Sequence, residues 1–301
     1  MTAMLSQTVI KSIVILCHML KKWILLVAFW IFLKFIKNAI CYCRIISEKV
    51  IFSGLNLERK TKMKSFKLLE TRGGNAKIKK SQKDSEYKIA SLSLYPDDII
   101  CPARNMAQCA KPCLKFSGLA DVFKSVNQSR KMKTDLWHND PAQFLERLRK
   151  EIAAFERKCD RDGFKAAFRL NTISDIQYER YDIPQEFSNS LFFDYTKIAA
   201  RLGNTPANYK LMFSYSAAPK YQKAVSRALK TNVPISAVFR GGNPKSFLNR
   251  PVVNGDLSDL QNVFSGAVIL GLRLKGPKRI QMLQDMLIVD NPDLIEIGLA
   301  A

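Results

Sequence analysis

Histidine is almost absent from this chain. Of 301 residues two are histidine, and only His138 lies beyond the apolar N-terminus. That scarcity argues against a Ser-His-Asp triad or a histidine-rich metal centre. The Cys-x-x-Cys pairs of zinc ribbons are missing too. Neither glycine pair, "RGGN" at Arg72–Asn75 or "RGGNP" at Arg240–Pro244, is followed by the Lys-Ser/Thr of a Walker loop, so plain turns are the simpler reading. No internal repeat divides the chain. Acidic residues are scarce, with 26 Asp and Glu against 48 Lys and Arg, a formal net charge of +22. An excess of that sign favours acidic partners, nucleic acid or an anionic membrane surface, without choosing between them.

Seven cysteines are present, an odd number at spacings that suggest no disulfide framework. Free thiols in a reducing compartment fit better than secretion. Three sit in the apolar N-terminus, three between residues 101 and 113, and Cys159 stands alone beside Lys158 on a predicted helix, where it reads as incidental.

Residues 1–62 differ from the rest. "WILLVAFWIFLKFIKNAICY" (Trp23–Tyr42) has the roughly 20-residue length of a membrane-spanning helix, with Lys34 and Lys37 able to snorkel near an edge. No small-residue cleavage site follows, so the segment reads as an anchor rather than a removed signal. Lysines and arginines that flank or follow the span, Lys37 near its end and then Arg44 to Lys62, place the body in the cytoplasm. Cys41 and Cys43 are weak candidates for acylation. The competing reading is a mis-assigned start, because "MKSFKLLE" from Met63 reads like the opening of a soluble domain. The expected organisation is therefore a hydrophobic helical extension, 1–62, and an α/β body, 63–301.

In the body, short apolar runs alternate with helical patterns. "SFKLLE" (65–70) and "YKIASLSLY" (87–95) are strand candidates. "PAQFLERLRKEIAAFERKC" then follows Asn139-Asp140, with Pro141 in the first helical position and Phe144, Leu148, Ile152 and Phe155 at helical spacing. "FKAAFRLN", "SLFFDYT", "NYKLMFSYS", "PISAVFR" and "AVILGLRL" are near-continuous apolar runs, expected of strands covered on both faces. With "TKIAARLG" and "AAPKYQKAVSRALK" as helices between them, the prediction is a mainly parallel sheet or partial (β/α) barrel. "NGD" (254–256) predicts a hairpin or turn.

Polar residues cluster where the apolar runs end, and parallel sheets carry ligands at that edge. Arg169, Asn171, Asp175, Asp194 and Lys197 are accordingly the candidates for orienting substrate or cofactor. Cys101, Cys109 and Cys113 precede this series in "CPARNMAQCAKPCLKFSG", where Pro102 and Pro112 disfavour a continuous helix. Three thiolates can hold three irons of a four-iron cluster and leave one iron open. They could equally bind zinc with a fourth ligand such as His138. Redox thiols and ordinary structural cysteines are the other readings of the same spacing.

The ordered pieces "NAKIKK", "CP…C…CL…SG", "FRLNTISDI", "FFDYTKIAAR", "NYKLMFSYS", "VVNGDLSDL" and "VILGLRLKG" resemble phage and prophage proteins carrying the gene product 88 domain. They run from about Lys64 to Gly276, leaving residues 1–62 outside. The resemblance implies kinship and brings no reaction with it. A looser similarity is to radical S-adenosylmethionine proteins, from which the cysteine spacing departs. Three functions follow as expectations: a metal- or iron–sulfur-binding enzyme, a basic nucleic-acid-binding protein without catalysis, or a membrane-tethered interaction protein.

Overall fold

The structure, a computed structural model, describes residues 66–71, 76–83, 85–113, 123–274 and 286–293. The chain divides into two units, Met1–Phe66 and Lys67–Ala301. The extension and its expected span at 23–42 lie outside the described residues, among which no helix is long and apolar enough to cross a membrane.

The described residues of the body form nine strands: β1 (Tyr87–Ser91), β2 (Lys165–Arg169), β3 (Leu191–Thr196), β4 (Tyr209–Ser214), β5 (Ile235–Arg240), β6 (Ser246–Phe247), β7 (Arg250–Asn254), β8 (Ile269–Arg273) and β9 (Ile288–Asp290). The helices are α1 (Ala76–Gln82), α2 (Lys124–Asn139), α3 (Pro141–Arg161), α4 (Ile183–Glu186), α5 (Gln222–Leu229) and α6 (Asp259–Asn262). The strand order is β1-β2-β3-β4-β5-β8-β7-β6, and every pairing along it is parallel except β6 with β7. This is the expected α/β architecture, as an open sheet. β1 to β5 lie in chain order, so successive crossovers of one hand fall on one face.

Both faces are apolar, which is why the strands read as continuous runs. On one face Phe155 of α3 meets Phe168, which stacks on Phe192 (5.2 Å), which meets Tyr209. Farther along, Phe213 stacks on Tyr221 at 5.6 Å. On the opposite face Ile89, Ala167, Phe193, Met212 and Leu270 pack with Ile78 of α1 and Leu260 of α6. A fully buried aromatic of this kind contributes about 1.5–3 kcal/mol.

α3 begins where its sequence signals place it. The Asp140 carboxylate accepts from the Gln143 N–H at 2.9 Å, and Phe144, Leu148, Ile152 and Phe155 are buried. Its Glu151, outside that apolar stripe, accepts from the N–H groups of Leu68 and Leu69 (3.0 and 2.8 Å). Of the strand predicted at 65–70, Leu68 and Leu69 are accordingly held by a side chain, and among the described residues 66–70 only Glu70 makes a bridge, to Ser91. α2 has no apolar stripe in its sequence, and it buries Leu136 and Trp137 together with Lys133. The "NGD" segment is a turn between β7 and α6 rather than a hairpin, since β7 pairs parallel to β8. At "RGGNP" Gly241 and Gly242 both have positive φ (81° and 98°), while "RGGN" at Arg72–Asn75 lies outside the described residues.

One irregularity shapes the carboxyl edge. β4 pairs with β5 only at Phe213 and Ser214, and β5 is then bordered by β8 on one side and β9 on the other. The Tyr215 N–H makes the last bond to β5, to the Ser236 carbonyl at 2.9 Å, and the chain then turns away from the sheet. Its continuation is fastened elsewhere, the Ala217 N–H donating to the Met286 carbonyl at 2.7 Å.

Candidate functional site

The carboxyl ends of β2, β3 and β4 carry a buried polar network. The register pairs Phe168 with Phe192, so Asp194 and Thr196 face the same side as those rings. Asp194 accepts from the Asn171 N–H (2.7 Å), from Asn171 Nδ2 (3.3 Å) and from the Tyr209 hydroxyl (2.8 Å). The Asn171 amide closes the turn after β2, accepting from the Ile176 N–H (2.8 Å) and donating to the Ile176 carbonyl (2.9 Å). Asp175 accepts from the Thr196 hydroxyl, the Lys197 N–H and Arg201 Nη1 at 2.7–2.8 Å. Arg201 completes the set with a two-pronged grip on Glu179 (2.8 and 2.9 Å) and a bond to the Tyr209 hydroxyl (3.0 Å).

Burial pushes the Asp194 carboxyl up to about 6, against the hydrogen bonds from Asn171 and Tyr209 and the charges of Arg169 and Arg201, which pull it down. Asp175 is raised by burial as well, with Arg201 the main opposing influence. For Arg201, burial opposes the charged form, but Tyr209, Asp175 and Glu179 together hold the guanidinium above its ordinary value. A carboxyl whose folded pKa is raised contributes stability below its unfolded pKa and loses it as the pH rises through the folded value. Asp194 is thus expected to cost about 2–3 kcal/mol of stability as the pH rises from 4 to 7. Urea unfolding of wild type and Asp194→Asn over that range checks it: the stability difference between the two should change with pH, and a constant difference contradicts it.

Arg169 does not join this network. It is out of step with Phe168 along β2 and so lies on the opposite face, where it pairs with Asp259 of α6. The Tyr195 hydroxyl donates to the same carboxylate at 2.7 Å, and the guanidinium lies over the Tyr195 ring at 5.1 Å. Strand alternation thus corrects the grouping of Arg169 with Asn171, Asp175, Asp194 and Lys197. Lys197 stands at the edge with its Nζ donating to Ser214 Oγ (3.0 Å) and to the Ser214 and Tyr215 carbonyls (3.3 Å each).

Across this edge runs the cysteine loop. Asp97 shapes its start: Oδ1 accepts from the Ile99 and Ile100 N–H groups, and the main-chain carbonyl accepts from Cys101. The other carboxylate oxygen bonds His138 Nε2 at 2.7 Å, so the histidine suggested as a fourth zinc ligand is already engaged. Three bonds tie the loop down. The Asp175 N–H donates to the Ile100 carbonyl (2.8 Å), Ser216 Oγ to the Ala107 carbonyl (2.8 Å), and Cys101 Sγ to the Ile173 carbonyl (3.6 Å). Gln108, just before Cys109, has a left-handed φ of 50° and reverses the chain there.

Cys101, Cys109 and Cys113 are free and half-buried. Burial pushes the Cys101 thiol far up, and Asp175, Cys113 and Cys109 add to the rise while Arg104 opposes it. Cys109 is raised by burial, opposed first by Lys197. The three thiols are therefore within electrostatic reach of one another and of the strand-end network. Among the described residues no three His, Cys, Asp or Glu side chains already stand in a metal-holding arrangement. Cys159 is buried on α3, its thiol raised to about 11 by burial, consistent with an inert core residue.

The structure thus brings together four of the five proposed orienting residues, with the cysteine loop beside them. Sequence reasoning missed Arg201, Glu179 and Tyr209, which hold the network, and Asp259 and Tyr195, which hold Arg169. "TKIAAR" and "SDL" offered signals in retrospect, each placing a charge just inside a short helix.

Comparison with known families agrees with the motif order. The family model described as Gene product 88 matches residues 67–285, most of the chain, which belongs to that family. No curated protein and no solved structure matches. The looser similarity to radical S-adenosylmethionine proteins finds no support in these comparisons.

Proposed function

We propose that this gene product 88 protein is a metal–thiolate protein. Cys101, Cys109 and Cys113 are its ligands, with an iron–sulfur cluster as the metal group and zinc as the alternative. The observation that carries the reading is the position of the thiols. A loop of three free, half-buried cysteines is pinned across the carboxyl ends of parallel strands, where α/β sheets take their ligands. Three sulfurs would be enough for three cluster irons, leaving one iron open to a further ligand, and the thiols would have to draw together to hold them, since they do not already stand in a metal-holding arrangement.

The chain's own residues would do the rest by holding geometry. Asn171, Asp175 and Asp194 spend their hydrogen bonds on one another's turns, on Thr196 and on Arg201. Their role in this reading is to keep residues 171–176 and the Lys197 backbone rigid beneath the loop. Lys197 would favour the thiolate form of Cys109, against the burial that raises its thiol.

Anaerobic purification of the full chain, with iron, sulfide and zinc measured beside an absorbance spectrum, tests the proposal. Bound iron and sulfide with charge-transfer absorbance are expected, lost when Cys101, Cys109 and Cys113 are all replaced by serine and kept in Cys159→Ser. Folded wild-type protein free of iron, sulfide and zinc overturns it. The +22 charge supports a second reading, nucleic-acid binding. Its mark would be a DNA or RNA affinity that falls with salt and survives the triple substitution.

A further inference from the structure

We infer that α5 carries the surface on which a nucleic-acid backbone docks, with Lys220, Lys223, Arg227 and Lys230 forming one stripe that takes phosphates. The inference rests on the second reading above, nucleic-acid binding, and names the part of the body that makes the contact.

Positive charge is unevenly placed in this chain. Between Asp194 and Asp256 there is no Asp or Glu, and there are ten Lys or Arg. Four of the ten are spent inside the fold. Arg201 is held by Asp175 and Glu179, Arg240 by Asp290, Lys197 by Ser214 and Tyr215, and Arg250 by the carbonyls of Leu229, Thr231 and Val233. Lys220, in the turn that leads into α5, and Lys223, Arg227 and Lys230 along it are all exposed. None of these four makes an ion pair or a side-chain hydrogen bond among the described residues. On α3, by contrast, Lys150 pairs with Glu146 and Arg149 with Glu186.

The four recur at intervals of three or four residues, which puts them on one side of a helix. Tyr221, Val225 and Ala228 are buried on the other side, with Tyr221 stacked on Phe213. Arg250 fastens the last carbonyls of α5, so the stripe is presented by a held element. It runs for about 15 Å, and a duplex offers a negative charge about every 1.7 Å of its axis. Like charges on one helix face repel, and bound phosphates would relieve that repulsion. The other exposed residues of α5 are Gln222 and Ser226, so the helix turns no apolar side outward to enter a bilayer. No exposed aromatic stands in the stripe either, so the contact is with the backbone and carries no base sequence.

Binding of the full chain to a labelled mixed-sequence DNA duplex, followed over a salt series, tests the inference. Vesicles containing phosphatidylserine are titrated in parallel. Wild type is compared with Lys223→Gln/Arg227→Gln/Lys230→Gln, and with Lys79→Gln/Lys80→Gln/Lys83→Gln as a control. The control removes the same charge from α1, on the opposite face of the sheet. A third variant, Lys223→Arg/Arg227→Lys/Lys230→Arg, keeps every charge, and circular dichroism checks that all are folded. The α5 glutamine variant is expected to lose about tenfold or more in duplex affinity, with the slope of log affinity against log salt smaller by about 2–3. The α1 control should keep the wild-type slope, and the charge-keeping variant should bind as wild type does. If wild type binds no duplex, the inference and the nucleic-acid reading fall together. If wild type binds and the α5 glutamine variant binds equally well, the reading stands and the α5 surface falls. An equal loss in the α1 control overturns it too, since net charge alone would then be felt. A loss of binding in the charge-keeping variant overturns it, because packing rather than charge would be at work. A loss of vesicle affinity at unchanged duplex affinity gives the stripe to a membrane and also overturns it.

Discussion

Arg201→Met is expected to lower the unfolding free energy by about 3–5 kcal/mol, the cost of leaving buried charges without their partner. The Arg201 side chain is 1% exposed, and its partners Asp175 and Glu179 are 9% and 10% exposed. Methionine fills much of the volume and cancels neither charge. Three hydrogen bonds to carboxylates and one to the Tyr209 hydroxyl disappear together. Because Asp175 also anchors Thr196 and the Lys197 N–H, the strand-end turn should loosen along with the global loss. Urea unfolding at pH 7 measures the first effect. Repeating it near pH 5 provides an internal control, since protonating the stranded carboxylates should shrink the deficit. A loss below about 1 kcal/mol at pH 7 would show the network to be solvated rather than buried.

Asp259→Ala should cost a similar amount for a related reason. Arg169 and Asp259 have side chains 6% and 2% exposed, and Arg169 Nε already lacks a hydrogen-bond partner. Removing the carboxylate leaves a whole guanidinium buried and the Tyr195 hydroxyl without the bond it donates there, for an expected loss of about 3–5 kcal/mol. Here a rescue exists. A buried pair can be exchanged for apolar residues at little cost, so Arg169→Met combined with Asp259→Leu should restore most of the stability. A double variant as unstable as Asp259→Ala contradicts that account. Arg201 has no such rescue, because it neutralises one network of two carboxylates rather than a single partner.

Much of the core was legible because its physics is local. Pro141 after Asp140 with apolar residues at helical spacing announced α3, and uninterrupted runs such as "LFFDY" announced strands covered on both faces. The polar strand ends were legible for the same reason, as each run stops at a residue that cannot be buried alone. α2 was not, because a helix that buries Lys133 and Trp137 among charged residues has no stripe to read. Nor was Glu151, an apparent solvent residue that instead fastens Leu68 and Leu69 from more than 80 residues away.

The amino-acid sequence by itself determined the class of fold, the edge where its polar residues gather, the three-cysteine loop and the family. Those follow from periodicity, from the burial that apolar runs demand, and from motif order. Only the tertiary structure decided which polar residues meet. Strand alternation sent Arg169 to one face and Asp194 to the other, and the crossovers brought Arg201 under Asp175. Pairing between residues distant in the chain depends on register and on which side a crossover passes, and neither is written in any one segment.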